Sequence, residues 1–167
     1  DGLSYHSITS DRNLEITDIV YDSRKAVKGS LFVCIDGAVV DGHAFISEAI
    51  DNGAKALLVE KEVTVPENIT VVTVKDTRYG LAFVSDKFYG HPSQNLNLVG
   101  ITGTKGKTTT TYMIKRIMEY ASKRTGLIGT IQNMIADEIL YAERTTPESC
   151  DLQSLFSEML KKDVSDV

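Results

Sequence analysis

The stretch VGITGTKGKTTTTYMI, residues 99–114, combines glycine, lysine and threonine at a spacing that suits phosphate binding. A phosphate chain needs several backbone N–H groups that point inward, and a helix N-terminus adds partial positive charge. Gly103 and Gly106 leave room for the backbone to wrap around such a ligand. Lys107 then supplies a point charge for the terminal phosphates, and the Thr108 hydroxyl is a hard oxygen ligand for Mg²⁺. These residues predict a nucleotide loop with Lys107 as its catalytic cation and Thr108 as its metal ligand.

The loop departs from the strict pattern G-x-x-x-x-G-K-[ST] at one position, since Ile101 stands where the first glycine belongs and the nearest glycine is Gly100. A glycine-rich turn with solvated lysines is therefore the alternative. The surrounding pattern favours nucleotide binding, because an apolar run at 96–102 predicts a strand before the loop and 108–122 predict a helix after it. The expected nucleotide contacts are Gly103, Thr104, Lys105, Gly106, Lys107, Thr108 and Thr109.

The residues in front of the loop predict a separate α/β unit. Short apolar runs at 31–35, 56–60 and 69–74 are typical of strands. Helical spacing of apolar residues predicts helices within 43–53 and 76–90, each followed by glycine. In the first of these helices Phe45, Ile46, Ala49 and Ile50 share one face, and in the second Leu81, Val84 and Phe88 do. The turn formers GHPSQN then place a domain boundary near residues 90–96.

Composition excludes several classes of function. The chain of 167 residues has a net charge of −5 and no basic stripe, which argues against a nucleic-acid partner. No apolar run approaches the roughly 20 residues of a membrane span. The two cysteines, Cys34 and Cys150, lie in unlike contexts without disulfide-framework spacing, which favours a reducing cytoplasm.

Three separated segments resemble the Mur ligase superfamily. The run GITGTKGKTTT is similar to its ATP loop. The segment YDSRKAVKGSLFVCIDGAVVDGHAFISEAIDNGAKALLVE resembles the uridine-binding N-terminal domain of the MurE-type members, and ERTTPESCDLQSL resembles their muropeptide-contacting segment. The three segments occur in the family's order and cover nearly all of the chain.

The resemblance implies where the substrate binds. YDSR falls where the family grips the uridine diphosphate, Gly37 to Val40 fall on the loop that lines the uracil, and the two threonines of RTTPE match substrate-contacting threonines. Because the uracil loop carries only apolar side chains after Gly37, its contacts must come from backbone groups. His43 is more typical of an N-terminal turn residue than of a catalyst. The implied substrate contacts are Tyr21, Ser23, Arg24, Ala38, Val39, Val40, Thr145 and Thr146.

Two positions depart from the family pattern. Lys105 stands where asparagine is common, and Arg144 stands where some relatives carry asparagine. The RTTPE segment also has a local interpretation, with Thr146 as N-cap and Pro147 as first residue of a helix that places Leu152, Leu155, Phe156, Met159 and Leu160 on one face. Both interpretations can hold, because a helix N-terminus attracts an anionic group.

The resemblance implies an ATP-dependent amide ligase of peptidoglycan precursor synthesis. ATP would phosphorylate the terminal carboxylate of UDP-MurNAc-L-Ala-D-Glu, and the amine of a diamino acid would attack the acyl phosphate. ATP and Mg²⁺ are the expected cofactors, the two substrates are small molecules, and the protein is expected to be a monomer in the bacterial cytoplasm. Another Mur-type ligase, an unrelated P-loop kinase or NTPase, and a non-catalytic nucleotide sensor remain alternatives.

The expected fold is α/β, with a small mixed-sheet uridine-binding domain at 1–94 and the first part of a P-loop ATPase domain at 95–167. In the family, a strand with a metal-binding glutamate, a carbamylated lysine and an amino-acid-binding domain would follow. We therefore expect the 167 residues to be an N-terminal part of the ligase, to bind nucleotide weakly at best, and to form no amide product alone. The identity of the diamino acid does not follow from these residues.

Overall fold

The structure, a computed structural model, describes residues 2–9, 13–37, 40–142 and 144–167. The chain divides into two compact units, Asp1–Val84 and Ser85–Val167. This division falls within a helix and not at the turn-forming residues near 90–96. The functional limits 1–94 and 95–167 remain a prediction.

The first unit contains a five-stranded mixed sheet, as the sequence predicts. Its strands are β1 (Ser7–Thr9), β2 (Ile19–Val20), β3 (Leu31–Val33), β4 (Ala56–Val59) and β5 (Thr70–Thr73). The order across the sheet is β1-β5-β4-β3-β2, with β2 to β5 parallel and β1 antiparallel to β5. Every residue of β3 and β4 is buried, which is the usual state of central parallel strands. The α/β fold class is confirmed.

Two helices accompany this sheet, α1 (Ile46–Asp51) and α2 (Thr77–Phe88). Asp76 caps α2 by accepting a hydrogen bond from the Tyr79 N–H at 2.8 Å. Residues Gly42–Phe45 form a 3₁₀ turn ahead of α1, so the predicted helix within 43–53 begins later than expected. Because a 3₁₀ turn advances its side chains by a different angle, Phe45 leaves the buried face and is 39% exposed. The prediction that Phe45 shares one helical face with Ile46, Ala49 and Ile50 was wrong, because Phe45 precedes α1.

The second unit contains two long helices and a small antiparallel sheet. These elements are α3 (Lys107–Tyr120), β6 (Gly126–Leu127), β7 (Gln132–Ile135), β8 (Glu138–Tyr141) and α4 (Ser149–Lys161). The sheet order is β6-β7-β8, and a short 3₁₀ turn, Pro92–Asn95, lies near the start of the unit. Phe156 and Met159 of α4 are buried with Leu96, Ile135 and Val164, which makes α4 amphipathic as predicted.

The predicted strand at 96–102 forms only in part. The N–H groups of Asn97 and Val99 donate to the carbonyls of Ser165 and Val167, each at 2.9 Å. The single bridge between Asn97 and Asp166 is too short to count as a strand. Within the part of the chain that the structure describes, this segment pairs only along 97–99, with residues 165–167. Val99 lies at the end of this pairing and is 47% exposed.

Helix α4 begins later than the sequence predicts. Glu148, not Thr146, occupies the N-cap, with an extended backbone at ψ 158°. The Leu152 N–H donates to the Glu148 carbonyl at 2.9 Å, which is the first bond of the helix. The extended backbone at Glu148 keeps Pro147 outside the helix, so the predicted role of Thr146 as N-cap was wrong.

A buried lysine connects α3 to the small sheet. The Lys115 ammonium is 5% exposed and donates to the Thr125 hydroxyl at 2.9 Å and the Ala136 carbonyl at 3.3 Å. It also pairs with the Glu119 carboxylate at 2.6 Å. With the Thr125 carbonyl at 3.5 Å, its three protons therefore face acceptors on three residues, Thr125, Ala136 and Glu119, which offsets the cost of burying the charge.

This arrangement predicts that Lys115→Met lowers the free energy of unfolding by about 2 kcal/mol, since acceptors on three residues lose their donor and Glu119 is only partly buried. The Lys115 hydrogen bond is the main reason that the pKa of Glu119 lies below its usual 4.5. The pair therefore stabilises the fold above pH 4.5 and loses this effect as pH falls through the lowered pKa. Urea denaturation at several pH values measures both effects.

The matched control is Arg116→Met, because the exposed Arg116 pairs with the same Glu119 carboxylate at 3.1 Å. We expect this change to cost less than about 0.5 kcal/mol. Equal losses in the two variants would contradict the importance of the buried lysine.

Candidate functional site

The glycine loop turns sharply into the N-terminus of α3. Gly106 occupies the N-cap with φ 80° and ψ −8°, and Gly103 also has a positive φ of 152°. The Thr110 N–H donates to the Gly106 carbonyl at 2.9 Å, so regular helix bonding starts immediately after the loop. Since Gly106 has no side chain that could cap the helix, the N–H groups of the first turn remain available to an external acceptor.

The predicted cation lies across this loop. The Lys107 ammonium donates to the Gly103 carbonyl at 2.6 Å, which leaves its other protons for a ligand. Thr108 is half-buried in the first turn of α3, and its carbonyl accepts from the Thr111 hydroxyl at 2.7 Å. The remaining predicted contacts, Thr104, Lys105 and Thr109, are exposed. This backbone and these donors fit a phosphate chain.

The metal site has one candidate ligand in this turn, the Thr108 hydroxyl. Within the described residues, no three His, Cys, Asp or Glu side chains come close enough to hold a metal ion. A hydroxyl is a suitable hard ligand for Mg²⁺, which usually keeps several waters and also binds phosphate oxygens. The turn thus fits a metal that arrives with a nucleotide.

An apolar cavity of about 280 Å³ lies in the same unit, beside α3. It is lined mainly by apolar side chains, among them Val99, Ile101, Ile114, Leu127 and Phe156. Phosphate groups require donors and positive charge. The cavity is therefore a poor place for a nucleotide, and the exposed glycine loop is the better one.

The polar residues of the first unit gather where its parallel strands end. Residues 21–24 follow β2, Asp36 and Asp41 follow β3, Glu60 and Lys61 follow β4, and residues 75–78 follow β5. Parallel strands bring their carboxyl ends to one edge of the sheet, and open α/β sheets bind ligands at that edge. Of the predicted uridine contacts, Tyr21, Ser23, Arg24 and Val40 lie in the first two of these loops.

Ser23 and Arg24 occupy different environments in this edge. Ser23 is buried, and its hydroxyl donates to the Glu48 carboxylate at 2.6 Å. The exposed Arg24 guanidinium forms two hydrogen bonds to the Asp22 carboxylate, at 2.9 and 2.7 Å, and thereby lowers the pKa of Asp22. Tyr21 is half-buried. The structure therefore places Ser23 as an interior anchor and leaves Arg24 at the surface.

The predicted uracil loop is closed by backbone contacts. The Gly37 N–H donates to the Val40 carbonyl at 3.1 Å, and Asp36 and Asp41 form a bridge. A Cβ atom on Gly37 would lie 2.8 Å from the Val40 carbonyl oxygen, so only glycine fits this close approach. Val40 is 52% exposed. Two of the predicted contacts, Ala38 and Val39, lie outside the described residues.

The predicted muropeptide segment lies just before α4. Thr145 and Thr146 are exposed in a bend. Arg144 pairs with the Glu148 carboxylate at 3.2 Å, across the turn that holds the two threonines. The threonines are thus accessible at the start of a helix, although neither caps it.

These features describe an α/β protein of two units with a glycine loop that fits a phosphate chain, and comparison with known families gives its class. The Mur ligase family, catalytic domain, matches residues 15–89, and the Mur ligase middle domain matches residues 101–167. The chain belongs to the Mur ligase family. The resemblance inferred from the three sequence segments is confirmed.

Curated relatives show which members of the family this chain is similar to. UDP-N-acetylmuramoyl-L-alanyl-D-glutamate–2,6-diaminopimelate ligase of Alkaliphilus metalliredigens (strain QYMF) is 50% identical over 95% of this chain and 32% of its own length. The ligase of the same name from Clostridium perfringens (strain 13 / Type A) is 48% identical over 95% of the chain and 33% of its own length. The chain thus spans about a third of the length of the curated relatives it matches.

Solved structures share the fold. A structure of UDP-N-acetylmuramoyl-L-alanyl-D-glutamate–2,6-diaminopimelate ligase aligns with a TM-score of 0.73 at 23% identity, over 90% of this chain and 31% of that one. MurF from Acinetobacter baumannii aligns with a TM-score of 0.60 at 25% identity, over 94% of this chain and 30% of that one. In the described ranges, no helix has the length and apolar content needed to cross a membrane.

Gly106, at the N-cap of α3, and Gly42, in the 3₁₀ turn before α1, differ in the space available for a side chain, and substitution by alanine can measure the difference. A Cβ on Gly106 would meet nothing within 4 Å, so Gly106→Ala incurs only the left-handed backbone strain, about 1–2 kcal/mol. A Cβ on Gly42 would lie 2.9 Å from the backbone N and O of Ile35, so Gly42→Ala should cost more than about 2 kcal/mol. Chemical denaturation followed by circular dichroism compares the variants. The reverse order of stabilities would contradict the geometry of both turns.

Proposed function

We propose that the chain forms the N-terminal part of an ATP-dependent ligase that joins 2,6-diaminopimelate to UDP-MurNAc-L-Ala-D-Glu through an acyl phosphate. The observation that carries the proposal is the uncapped start of α3, with Lys107 across the loop and Thr108 in the first turn, in a member of the Mur ligase family. The names of relatives that are 48–50% identical over 95% of the chain support diaminopimelate as the added amino acid.

In this proposal, the loop positions ATP and neutralises its charge during phosphoryl transfer. The first-turn N–H groups and the Lys107 ammonium hold the phosphates, and Thr108 supplies one ligand to Mg²⁺. Gly103 to Gly106 provide the backbone that wraps the phosphate chain, and Lys105 and Thr109 lie at its exposed rim. Bound ATP–Mg²⁺ supplies the phosphoryl group that activates the carboxylate.

The first unit would bind the uridine diphosphate end of the second substrate. Its loops after β2 and β3 start at the carboxyl edge of the parallel sheet, with Ser23 anchored to Glu48 and the Gly37 N–H bonded to the Val40 carbonyl. Thr145 and Thr146 would contact the muropeptide part. We further propose that the enzyme acts as a monomer on small molecules in the bacterial cytoplasm.

The family assignment makes an unrelated kinase or a passive nucleotide sensor poor alternatives, because both units match Mur ligase domains. A different Mur-type ligase is the second candidate. The chain is 25% identical to MurF from Acinetobacter baumannii and 50% identical to the diaminopimelate ligase of Alkaliphilus metalliredigens. These identities favour a diaminopimelate ligase over a MurF-type ligase.

Lys107→Ala in the whole ligase should abolish amide formation, because the loop loses the charge that faces the phosphates. Loss of one charge-assisted contact, about 1.5–3 kcal/mol, should also weaken ATP binding by about 10-fold to 100-fold in calorimetric titration. Lys161→Ala removes an exposed lysine of α4, outside the glycine loop, and is the matched control; it should retain ATP affinity within about threefold. Ligation at the wild-type rate by Lys107→Ala would overturn the assignment of the loop.

Uridine diphosphate should bind to the carboxyl edge of the first unit. In ¹H–¹⁵N spectra of the chain, UDP should shift the amide signals of residues 21–24 and 37–40, whereas cytidine diphosphate at the same concentration should shift them less. The physical reason is that backbone groups of a fixed loop distinguish the edges of the two bases. A titration that moves neither segment would refute uridine binding at this edge.

A further inference from the structure

Asp41 lies at the centre of a hydrogen-bond network at the carboxyl edge of the first sheet. One carboxylate oxygen accepts from the His43 backbone N–H at 3.0 Å and contacts the His43 ring Nδ1 at 2.6 Å. The other oxygen accepts from the Lys61 ammonium at 2.6 Å. The Lys61 hydrogen bond is the main cause that holds the pKa of Asp41 well below its usual range, followed by the bonds from His43. Asp41 is therefore a fixed anion between two loops.

The neighbours of His43 determine which ring nitrogen carries the proton. The Glu60 N–H donates to His43 Nε2 at 3.2 Å, and an N–H can donate only to an unprotonated ring nitrogen. Nε2 is therefore the acceptor, and Nδ1 carries the proton that it donates to Asp41. The ring is 9% exposed, so it is held from both ends with little access to water.

The same network continues to the start of α2. One carboxylate oxygen of Glu60 accepts from both the N–H and the hydroxyl of Thr77, each at 2.7 Å, and Thr77 is fully buried. The contacts Asp41–His43–Glu60–Thr77 thus join the loops that follow β3, β4 and β5. Asp41 also closes the predicted uracil loop through its bridge to Asp36.

We propose that His43, as the neutral Nδ1–H imidazole, is a positioning residue that holds Gly37 and Val40, the described ends of the predicted uracil loop, ready to bind the uracil ring. The proposal rests on the proposed uridine-binding function of this edge. Val40 has no polar side chain, so recognition in the loop depends on backbone groups. Backbone groups bind well only if the loop is fixed before the ligand arrives, because ordering it on binding costs free energy. His43 contributes by fixing Asp41, where the loop ends.

The first test is spectroscopic. In a long-range ¹H–¹⁵N spectrum of the chain labelled at histidine, His43 should show a protonated Nδ1 and an unprotonated Nε2 at pH 7.5. An Nε2–H pattern would overturn the inference, because His43 could then not accept from the Glu60 N–H.

The second test is calorimetric titration of the chain with UDP and, separately, with ATP–Mg²⁺. His43→Leu should weaken UDP binding by about tenfold and leave ATP binding unchanged, since the loop loses its support while the glycine loop keeps its own. His43→Asn should show an intermediate loss, because its amide can still donate to Asp41. His91→Leu is the matched control: His91 also pairs through Nδ1 with an aspartate, Asp86, but in the second unit. It should bind UDP as the wild type does.

Lys61→Met guards against a folding defect in the histidine variants. Lys61 is 55% exposed, so the variant should fold normally, and it should weaken UDP binding by about threefold through the loss of one contact to Asp41. If folded His43→Leu and Lys61→Met both bind UDP with wild-type affinity, the role of His43 is overturned, while the proposed binding of uridine diphosphate stands. Absence of UDP binding by the wild-type chain would overturn the proposed function, and the inference with it.

Discussion

The parallel pairing of β3 with β4, and of β4 with β5, is the constraint on which the first unit depends. The register sets Phe32 beside Leu57 and Leu57 beside Val71, so the buried strands run in step and end at the same edge. In β3 and β4 the side chains are apolar on both faces, so the polar residues of these two segments come only after the strands end. The loops predicted to bind substrate therefore leave the sheet at the same edge.

In the second unit, helix α3 begins without a side-chain cap. Most helices begin with a side chain that satisfies the first N–H groups, as Asp76 does for α2. Helix α3 begins at a glycine in a left-handed conformation, and nothing in its own N-cap satisfies those groups. The stability given up there is offset deeper in the helix, where buried Lys115 joins α3 to Thr125 and Ala136. Helix α3 thus combines an uncapped start, which fits a phosphate group, with a buried anchor further along.

Local sequence patterns predict accurately the strands and the helix next to the candidate sites. Apolar runs locate β3, β4 and β5 to within one or two residues, and the glycine turn followed by GKT locates the start of α3. The hairpin β7–β8 could not be predicted in the same way, because its turn contains Ala136 with φ 52° in place of the usual glycine or asparagine. The burial of Lys115 also has no signal in the sequence, since a lysine on a helix is usually solvated and its acceptors come from distant residues.

The same distinction separates site residues that touch a ligand from those that support them. The loop residues Gly103 to Thr108 are contiguous, so their type and spacing are enough to predict a phosphate site. His43 acts through Asp41, Glu60 and Thr77, which come from three loops and meet only when the sheet forms. Before folding, the segment DGH resembles any helix-starting turn, and the structure agrees that His43 is part of such a turn. The sequence does not show that the Nε2 atom of the His43 ring accepts a hydrogen bond from the Glu60 N–H. That bond links the loop after β3 to the loop after β4.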